Sequence, residues 1–399
     1  MSFQYCLLLV FGLFAAEIYC QGCRLNANRD KYLPLVFHNY TTYFQLVVPE
    51  MGEVHLNTGE SVTLACTGKK NYLTETNSNS TYATCISGNI LRLFRKKIYF
   101  DDLRCNKDIR GDIRKTRTIC ANGWGYITEI GYQIKNNDWF TLIEVCYDDD
   151  NGVTFYTAHN LYGNEIKYSA RITDRPGFST DGLGPGIAAS LAYTQNFQKS
   201  TFSSLLGSAR FASYYINRNS YLARGHLSPI ADFLLATSKR TTFYLINTTP
   251  QWQVINGGNW KSVEASIRKT AEWYNRTFRI LTGTYRVLTL PDNKGNLKPI
   301  YLVSKDKFPV PREIWKIVYD PETQLGIAII VINNPFMKKL LKDDILCDNI
   351  CDQYGWGTVN WNDASRGYTY CCDLSKFIEV VHTTPRLNVR GVLRGIASP

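Results

Sequence analysis

Apolar and polar residues alternate along residues 61–66, which is the period of a strand with one buried face. Residues 54–57 have a similar composition, and a turn at 58–60 joins the two segments. This pattern predicts a β-rich N-terminal part. Further along the chain, residues 242–246 and the continuous apolar run 326–332 each predict a strand.

One helix is also predicted. Trp260, Val263, Ile267, Ala271 and Tyr274 recur at the spacing of a single helix face, with charged residues on the opposite side. Because each residue advances by about 100° around a helix, Glu264 projects close to the centre of this apolar face. A carboxylate in such a place is costly unless another group compensates its charge.

Composition excludes several classes of protein. The chain has 399 residues, of which 44% are apolar and 13% aromatic, so it can bury a core in each of two or three domains. Such a chain is not expected to be disordered. It contains no Gly-X-Y repeat, no sustained heptad and only one long apolar run, which excludes collagen, a coiled coil and a multi-pass membrane protein.

That apolar run, residues 7–16, is about ten residues long, which is too short to span a bilayer and is typical of a secretory signal. We therefore predict that residues 1–20 are removed and that the protein is secreted, with no stable membrane association; an N-terminal membrane anchor is the alternative. The sequons at Asn39, Asn79, Asn247 and Asn275 fit a secreted glycoprotein.

The cysteines indicate the same compartment. Removal of residues 1–20 leaves an even number, as five disulfides require: Cys23, Cys66, Cys85, Cys105, Cys120, Cys146, Cys347, Cys351, Cys371 and Cys372. A zinc site built from the last four is the alternative. Disulfides are favoured, because adjacent cysteines rarely ligate the same ion.

Charge divides the chain unevenly. The net charge is +1 over residues 21–150 and +11 over residues 151–399, and an acidic run that ends in Asn-Gly lies at 147–152. We therefore predict a β-rich N-terminal domain at 21–150 and a second domain at 151–399. Basic clusters at 95–97 and 110–117 are interpreted as solvated surface. The positive second part suits a polyanion, whether nucleic acid or heparin.

Candidate chemistry centres on His226, one of five histidines. If its segment is an extended strand, Arg224 and His226 lie on the same face, and Gly225 between them permits a close backbone approach. A guanidinium can hold phosphate oxygens while a neutral imidazole accepts a proton from water, so the pair suits a phosphodiester. The alternative is an ordinary histidine at a strand end.

Asn256 and Glu264 offer a second group. If the helical phase extends backwards through Gly257 and Gly258, Asn256 lies within about a third of a turn of Glu264. Amide and carboxylate oxygens are ligands that Mg²⁺ takes directly or through water. The alternative is a capping asparagine and a glutamate paired with a nearby cation.

Three segments, in this order, resemble the signature of the DNA/RNA non-specific endonucleases, a family of ββα-metal nucleases: Arg224-Gly225-His226, Asn247-x-Thr249-Pro250-Gln251, and Asn256-x-Gly258-x-Trp260-x3-Glu264. Residues 221–229 and 370–372 look most like secreted arthropod members, which include double-stranded ribonucleases. The resemblance covers 151–399. It implies an α+β fold, with a ββα-metal core in a mixed sheet preceded by a small disulfide-linked β-rich domain.

The resemblance also implies roles. His226 would be the general base, Asn256 the Mg²⁺ ligand and Glu264 a carboxylate that holds metal-bound water; Mn²⁺ is an alternative metal. Asn247 and Arg224 would shape the site and contact phosphate. A further phosphate-binding arginine is expected upstream, where Arg175 is preferred to Arg171. The chain departs from the family's commonest form at Ala223, where Asp is usual, and at Phe243, where Asn is common.

The sequence thus predicts a secreted, Mg²⁺-dependent, sequence-non-specific endonuclease that acts on DNA, RNA or both, including double strands, and leaves 5′-phosphates. One alternative is a catalytically inactive protein that binds nucleic acid or sulfated glycans by charge. Another is a structural, disulfide-rich extracellular module, which only the first 150 residues favour.

Overall fold

The computed structural model describes residues 22–28, 30–135, 138–303 and 306–396. The predicted signal segment, residues 1–20, lies outside this part of the chain. No helix within the described residues is both long and apolar enough to cross a membrane.

The N-terminal part is built from short strands, as the sequence predicts. They are β1 (Cys23–Leu25), β2 (Leu35–Asn39), β3 (Phe44–Leu46), β4 (Val54–Leu56), β5 (Ser61–Ala65), β6 (Ser80–Ser87), β7 (Ile90–Leu93) and β8 (Lys96–Tyr99). Six of them form a sheet in the order β3-β2-β5-β6-β7-β8, called the N-terminal sheet below. The expected half-buried strand β5 is covered on both faces, because even the alternate residue Thr63 is buried.

A nine-stranded sheet, called the central sheet, occupies most of the remaining chain. The later strands are β9 (Asp112–Cys120), β10 (Gly125–Gln133), β11 (Trp139–Asp148), β12 (Val153–Tyr162), β13 (Leu222–His226), β14 (Thr248–Trp252), β15 (Thr277–Val287), β16 (Thr289–Pro291), β17 (Leu297–Pro299), β18 (Tyr301–Val303), β19 (Lys307–Pro309), β20 (Pro311–Asp320), β21 (Leu325–Ile332), β22 (Thr369–Asp373) and β23 (Gly391–Val392). The order in the central sheet is β22-β21-β20-β15-β12-β11-β10-β9. β23 pairs with β21 in parallel, so the sheet is mixed.

The described helices are few: α1 (Ala189–Ala192), α2 (Gln195–Leu206), α3 (Ala209–Tyr215), α4 (Ala236–Arg240), α5 (Gln253–Asn256), α6 (Asn259–Tyr274) and α7 (Leu374–Val380). The predicted α+β class is therefore confirmed. The central sheet continues across residue 150, because β11 and β12 are hydrogen-bonded neighbours. A domain boundary at that turn stays a prediction.

The central sheet has apolar layers on both faces. On β20, Ile314 and Val318 join the layer that contains α6, while Trp315 and Ile317 join the layer that contains α7. The apolar run 326–332 forms the buried strand β21, as predicted. Both faces of this strand are covered by other parts of the protein, so neither face needs polar side chains. This explains why the sequence is apolar at every position.

The predicted strand at 242–246 is wrong. Its backbone makes local turn bonds, from Tyr244 N to Thr242 O (3.0 Å) and from Asn247 N to Tyr244 O (3.0 Å), and ends in a 3₁₀ turn at Leu245–Asn247. The apolar side chains that suggested a strand are buried between other elements instead. The predicted helix is confirmed as α6, which ends at Asn275 in the left-handed conformation.

Five disulfides join all ten cysteines of the described chain, which confirms that prediction over the zinc site: Cys23–Cys85, Cys66–Cys105, Cys120–Cys146, Cys347–Cys372 and Cys351–Cys371. The adjacent Cys371 and Cys372 lie on β22, where successive side chains point to opposite faces. Each can therefore bind a different partner, and the two bridges lie in different apolar layers.

Candidate active site

An antiparallel hairpin followed by helices builds the candidate site. β13 pairs with β14 so that His226 lies opposite Thr248 and Arg224 opposite Pro250. α5 and α6 follow directly after β14. This is a strand-strand-helix unit, and it places Arg224 and His226 on one face of β13, as the alternation predicts.

Gly225 allows the opposite face of β13 to pack closely against Gln251 of β14. A Cβ atom at Gly225 would lie 2.5 Å from Oε1 and 2.8 Å from Cβ of Gln251. Both distances are too short for non-bonded contact, so no larger residue fits without a shift of β14. The glycine between Arg224 and His226 is thus required by packing against its own hairpin partner.

His226 lies in an aromatic pocket. Its ring centre is 5.1 Å from that of Phe178 and 5.3 Å from that of Phe243, which meets it edge to face. The Thr242 hydroxyl lies 3.5 Å from Nε2. Burial lowers the pKa of the His226 imidazole to about 4, and the positive charge of Arg175 acts in the same direction. The imidazole is therefore neutral at physiological pH and able to accept a proton.

Phe243 stands where the family commonly has asparagine, and its ring is part of the reason for the low pKa of His226. Sequence reasoning identified Phe243 as a departure but missed Phe178, which no polar motif marks.

Arg224 is held by aromatic faces. Its guanidinium carbon lies 5.1 Å from the ring centre of Tyr193 and 5.6 Å from that of Phe178. The Tyr193 hydroxyl is fixed by a 3.0 Å hydrogen bond with Thr248. Arg224 Nε is buried and has no hydrogen-bond partner among the described residues. Its N–H is therefore available to an anionic ligand, and Arg224 lies on the same strand face as His226.

Arg175 is exposed, and its charge acts on the His226 imidazole. Arg171 is also exposed, but it does not contribute to the shift of that pKa. Of the two arginines considered from the sequence, the fold therefore brings Arg175 to the imidazole.

Asn247 is a buried clamp on the chain that follows His226. Its Oδ1 accepts a hydrogen bond from Ser228 N (2.9 Å), and its Nδ2 donates to Ser228 O (3.0 Å) and to Thr242 O (2.9 Å). Both amide hydrogens are used, so none is left for a phosphate. The geometry fits the prediction that Asn247 shapes the site, but it does not fit the prediction that Asn247 contacts phosphate.

Asn256 is the last residue of α5. The helix expected to continue from Asn256 to Glu264 is interrupted after it. Gly258 has φ −99° and ψ −118°, which is not helical, so α5 and α6 are separate helices. The Asn256 side chain is partly buried and makes no hydrogen bond to another residue in the part of the chain that the structure describes. Its amide oxygen is thus available to a ligand.

Glu264 lies on α6, partly buried beside the fully buried Trp260 and Val263. Burial raises the pKa of its carboxyl to about 7, although the Lys316 ammonium opposes the rise. The protein therefore compensates only part of the negative charge of the Glu264 carboxylate, which favours the binding of a cation near it.

Asn256 and Glu264 fit a hard divalent cation held mainly by water. The described residues contain no cluster of three His, Cys, Asp or Glu side chains that could form a complete metal cage. Mg²⁺ does not need one, because it keeps several waters and takes few protein ligands. An amide oxygen and a partly compensated carboxylate are the donor types that suit it.

A buried polar network, which sequence reasoning missed, lies behind the hairpin. The His159 ring nitrogens lie 2.9 Å from Ser228 Oγ and 3.0 Å from Asp232 Oδ2, and Arg268 Nη1 lies 2.8 Å from Asp232 Oδ1. Burial alone would raise the pKa of Asp232, but His159 and the nearby cations lower it to about 2. Arg268 follows Glu264 by one helical turn, so it adds a cation beside the candidate metal ligands.

Lys316 completes this network. Its ammonium donates to Leu227 O (3.2 Å) and to Thr282 Oγ1 (2.6 Å), and it lies 5.1 Å from the ring centre of Trp260. The side chain is fully buried, and burial lowers its pKa. The sequence could have indicated a buried functional lysine here, because Lys316 is the one charged residue within the apolar segment 314–318.

Comparisons with known proteins identify the family of the chain. The family model of the DNA/RNA non-specific endonucleases matches residues 125–377. A salivary endonuclease of Lutzomyia longipalpis is 32% identical over 278 residues, which are 69% of this chain and 65% of that protein, slightly less than two thirds of its length. The salivary protein Tsal2A of Glossina morsitans morsitans is 24% identical over 394 residues, 97% of this chain and 98% of that protein. A chain in the crystal structure of the EndoG/EndoGI complex has a TM-score of 0.39 and 16% identity, covering 65% of this chain and 91% of that one.

We predict that Asn247→Asp destabilises the fold by about 3 kcal/mol, because a buried acceptor would then face the carbonyls of Ser228 and Thr242. Urea unfolding in the presence of chelator measures the change. Asn256→Asp is the matched control and should change the unfolding free energy by less than about 0.5 kcal/mol. Equal losses of unfolding free energy in the two variants would contradict the role of Asn247 as a clamp.

The buried Asn247 amide should also carry no glycan, in contrast to the exposed sequons at Asn39, Asn79 and Asn275.

We predict that His226 titrates far below the usual histidine range, near pH 4. Arg175→Gln should raise this pKa, because removal of a nearby positive charge favours the imidazolium. NMR titration of the imidazole in metal-free protein measures both values, with His226→Ala to assign the signal. Arg171→Gln removes an equal charge nearby and should leave the pKa unchanged; equal shifts in both variants would contradict the placement of Arg175.

Proposed function

Because the chain belongs to the DNA/RNA non-specific endonuclease family, we propose that it is a secreted, Mg²⁺-dependent endonuclease. It hydrolyses phosphodiester bonds of DNA, RNA or both, including double strands, without sequence preference, and leaves 5′-phosphates. The observation that carries the proposal is a guanidinium with a free N–H next to an imidazole that its surroundings keep neutral. Five disulfides and the salivary relatives support secretion.

His226 acts as the general base. It is neutral at physiological pH, so an imidazole nitrogen can accept a proton from the water that attacks phosphorus. The Phe178 and Phe243 rings pack against the imidazole and against each other, which limits rotation of the imidazole. Because burial among the same rings disfavours the imidazolium, it gives the proton up to solvent water afterwards, and the neutral base is restored.

Arg224 holds the substrate phosphate and stabilises negative charge that develops on it. The Tyr193 and Phe178 rings fix the guanidinium, so little side-chain freedom is lost when it binds an anion. Arg175 adds positive charge from the solvent side. Preorganised donors of this kind stabilise the transition state more than the ground state.

Asn256 and Glu264 would hold the metal, Asn256 by direct contact and Glu264 through bound water. A divalent cation at this place supplies charge neutralisation at the phosphate and the leaving oxygen. Mg²⁺ is the expected ion, with Mn²⁺ as a possible substitute, because both take oxygen ligands. Arg268, one turn after Glu264, pairs with Asp232.

Sequence-non-specific binding follows from charge. The net charge of +11 over residues 151–399 favours the release of counterions from any nucleic acid backbone. The alternative, an inactive binder of nucleic acid or sulfated glycans, would use the same charge. The complete set of His226, Arg224, Asn256 and Glu264 favours catalysis over binding alone.

We predict that the mature protein shortens double-stranded DNA or double-stranded RNA on a gel with Mg²⁺ and not with chelator. His226→Ala should lower turnover by about 10²–10⁴-fold, since a general base contributes that much, and leave binding affinity nearly unchanged. His382→Ala, at an exposed histidine, is the control. If the unmodified protein leaves both polymers intact with Mg²⁺ and with Mn²⁺, the inactive-binder alternative takes the place of this proposal.

We predict that Asn256→Ala raises the Mg²⁺ concentration needed for half-maximal cleavage by about 10–100-fold, the range found when support of a metal site is lost. Asn219→Ala, at an exposed asparagine far from α5 in the sequence, controls for general effects. The measurement is cleavage rate against Mg²⁺ concentration. An unchanged titration curve for Asn256→Ala would mean that another residue is the ligand.

A further inference from the structure

A small cavity lies where the chain leaves the N-terminal sheet and enters β9. It has a volume of about 70 Å³, enough for several waters and so for one phosphate group. Residues 108–111, called the linking segment, form one wall. The facing wall is formed by Arg240, Phe243 and Tyr244, with Pro176 beside them. We call this cavity the notch.

The two walls are fixed to each other. Tyr244 donates a hydrogen bond from its hydroxyl to Gly111 O at 2.5 Å. A Cβ atom at Gly111 would lie 2.3 Å from Cγ2 of Thr241, so the linking segment approaches α4 and its following turn as closely as a glycine allows. The notch is therefore a built feature and not a gap between loosely packed parts.

Arg240 supplies an unusual group to the notch. Its side chain is only 14% exposed, and Nη2 pairs with Asp174. Nε and Nη1 are buried and have no hydrogen-bond partner within the described residues. Buried N–H groups of a charged guanidinium are costly to leave unpaired. A guanidinium that lines the notch and carries two unpaired donors indicates a site for an anion.

The opposite wall adds a second guanidinium. Arg110 lies on the linking segment with 75% of its side chain exposed, and its Nε is 3.4 Å from an Asp108 carboxylate oxygen. This exposed pair is weak, because solvent screens it. An anion between Arg110 and Arg240 would meet guanidinium groups from both sides, with Asp108 as the opposing charge.

The notch adjoins the candidate active site. Phe243 lines the notch, and its ring also packs against the His226 imidazole at 5.3 Å. Asp174, the partner of Arg240, directly precedes Arg175, whose charge acts on His226. The notch and the His226 pocket thus share the Phe243 side chain, which makes the notch the neighbouring place for a strand bound at His226.

We propose that the notch is a phosphate subsite, in which Arg240 and Arg110 hold a backbone phosphate next to the one that is cleaved. The linking segment then makes the N-terminal part of the chain a component of the substrate site. This inference rests on the proposed nuclease function, since it names where the same substrate is held. It gives the basic residue at 110 a binding role that its sequence context did not indicate.

Equilibrium binding of a short DNA duplex to the full mature protein, in chelator, tests the proposal without cleavage. Arg110→Gln and Arg240→Gln should each weaken binding by about tenfold, the effect of one lost charged hydrogen bond. Each should also lower the dependence of log Kd on log salt by about one, because one phosphate contact is lost. Arg95→Gln removes an equal charge between β7 and β8 and should change neither value beyond about twofold.

Asp174→Asn separates binding from a merely structural role of Arg240. It removes the ion pair but keeps the guanidinium, so binding should stay as tight or become tighter. If Asp174→Asn weakens binding as much as Arg240→Gln, then Arg240 only holds the 174 loop and the proposal is overturned. Equal salt dependence in all variants overturns it as well.

The binding result is distinct from the test of nuclease function. A protein that fails to cleave in Mg²⁺ but shows the Arg240 and Arg110 effects has the subsite without the activity. A protein that cleaves normally, while these variants bind like the unmodified chain, has the activity without the subsite.

Discussion

The orientation of His226 depends on the hydrogen bonds that hold the two residues after it. Lys316 donates to Leu227 O, and Asn247 clamps Ser228 through both its N–H and its C=O. Side chains of two distant segments thus replace the sheet partner that a strand end lacks. Because a buried ammonium and a buried amide lose much if these bonds break, the backbone at 227–228 has one favourable position.

Charges around this point compensate one another across several strands and α6. Lys316 interacts electrostatically with both Asp232 and Glu264, and both carboxylates oppose the effect of burial on its pKa. Asp232 is further neutralised by His159 and Arg268, so its pKa stays low. At Glu264 the effect of burial outweighs the opposing effects of Lys316, Arg268 and Trp260, and its pKa rises. The same interior therefore keeps one carboxylate fully paired and leaves the other ready for a cation.

The local sequence pattern was sufficient to predict those elements whose structure is decided by residues close together in the sequence. The spacing of apolar residues predicted α6, the alternation of Arg224 and His226 predicted their common face, and the apolar run predicted β21. The same reasoning failed at residues 242–246. An apolar segment there is buried with only an isolated bridge to Ser179, and periodicity cannot distinguish burial in a sheet from burial in a turn.

By itself, the sequence determined the family motif, the α+β class, the number of disulfides and the types of residue available for chemistry, because these depend on residue identity and short-range geometry. Only the tertiary structure decided which distant groups meet. The low pKa of His226 comes from burial in a pocket that Phe178 and Phe243 help to form and from the charge of Arg175. Arg240 meets the linking segment across more than a hundred residues. Desolvation and charge act through space, so they depend on contacts that no local spacing specifies.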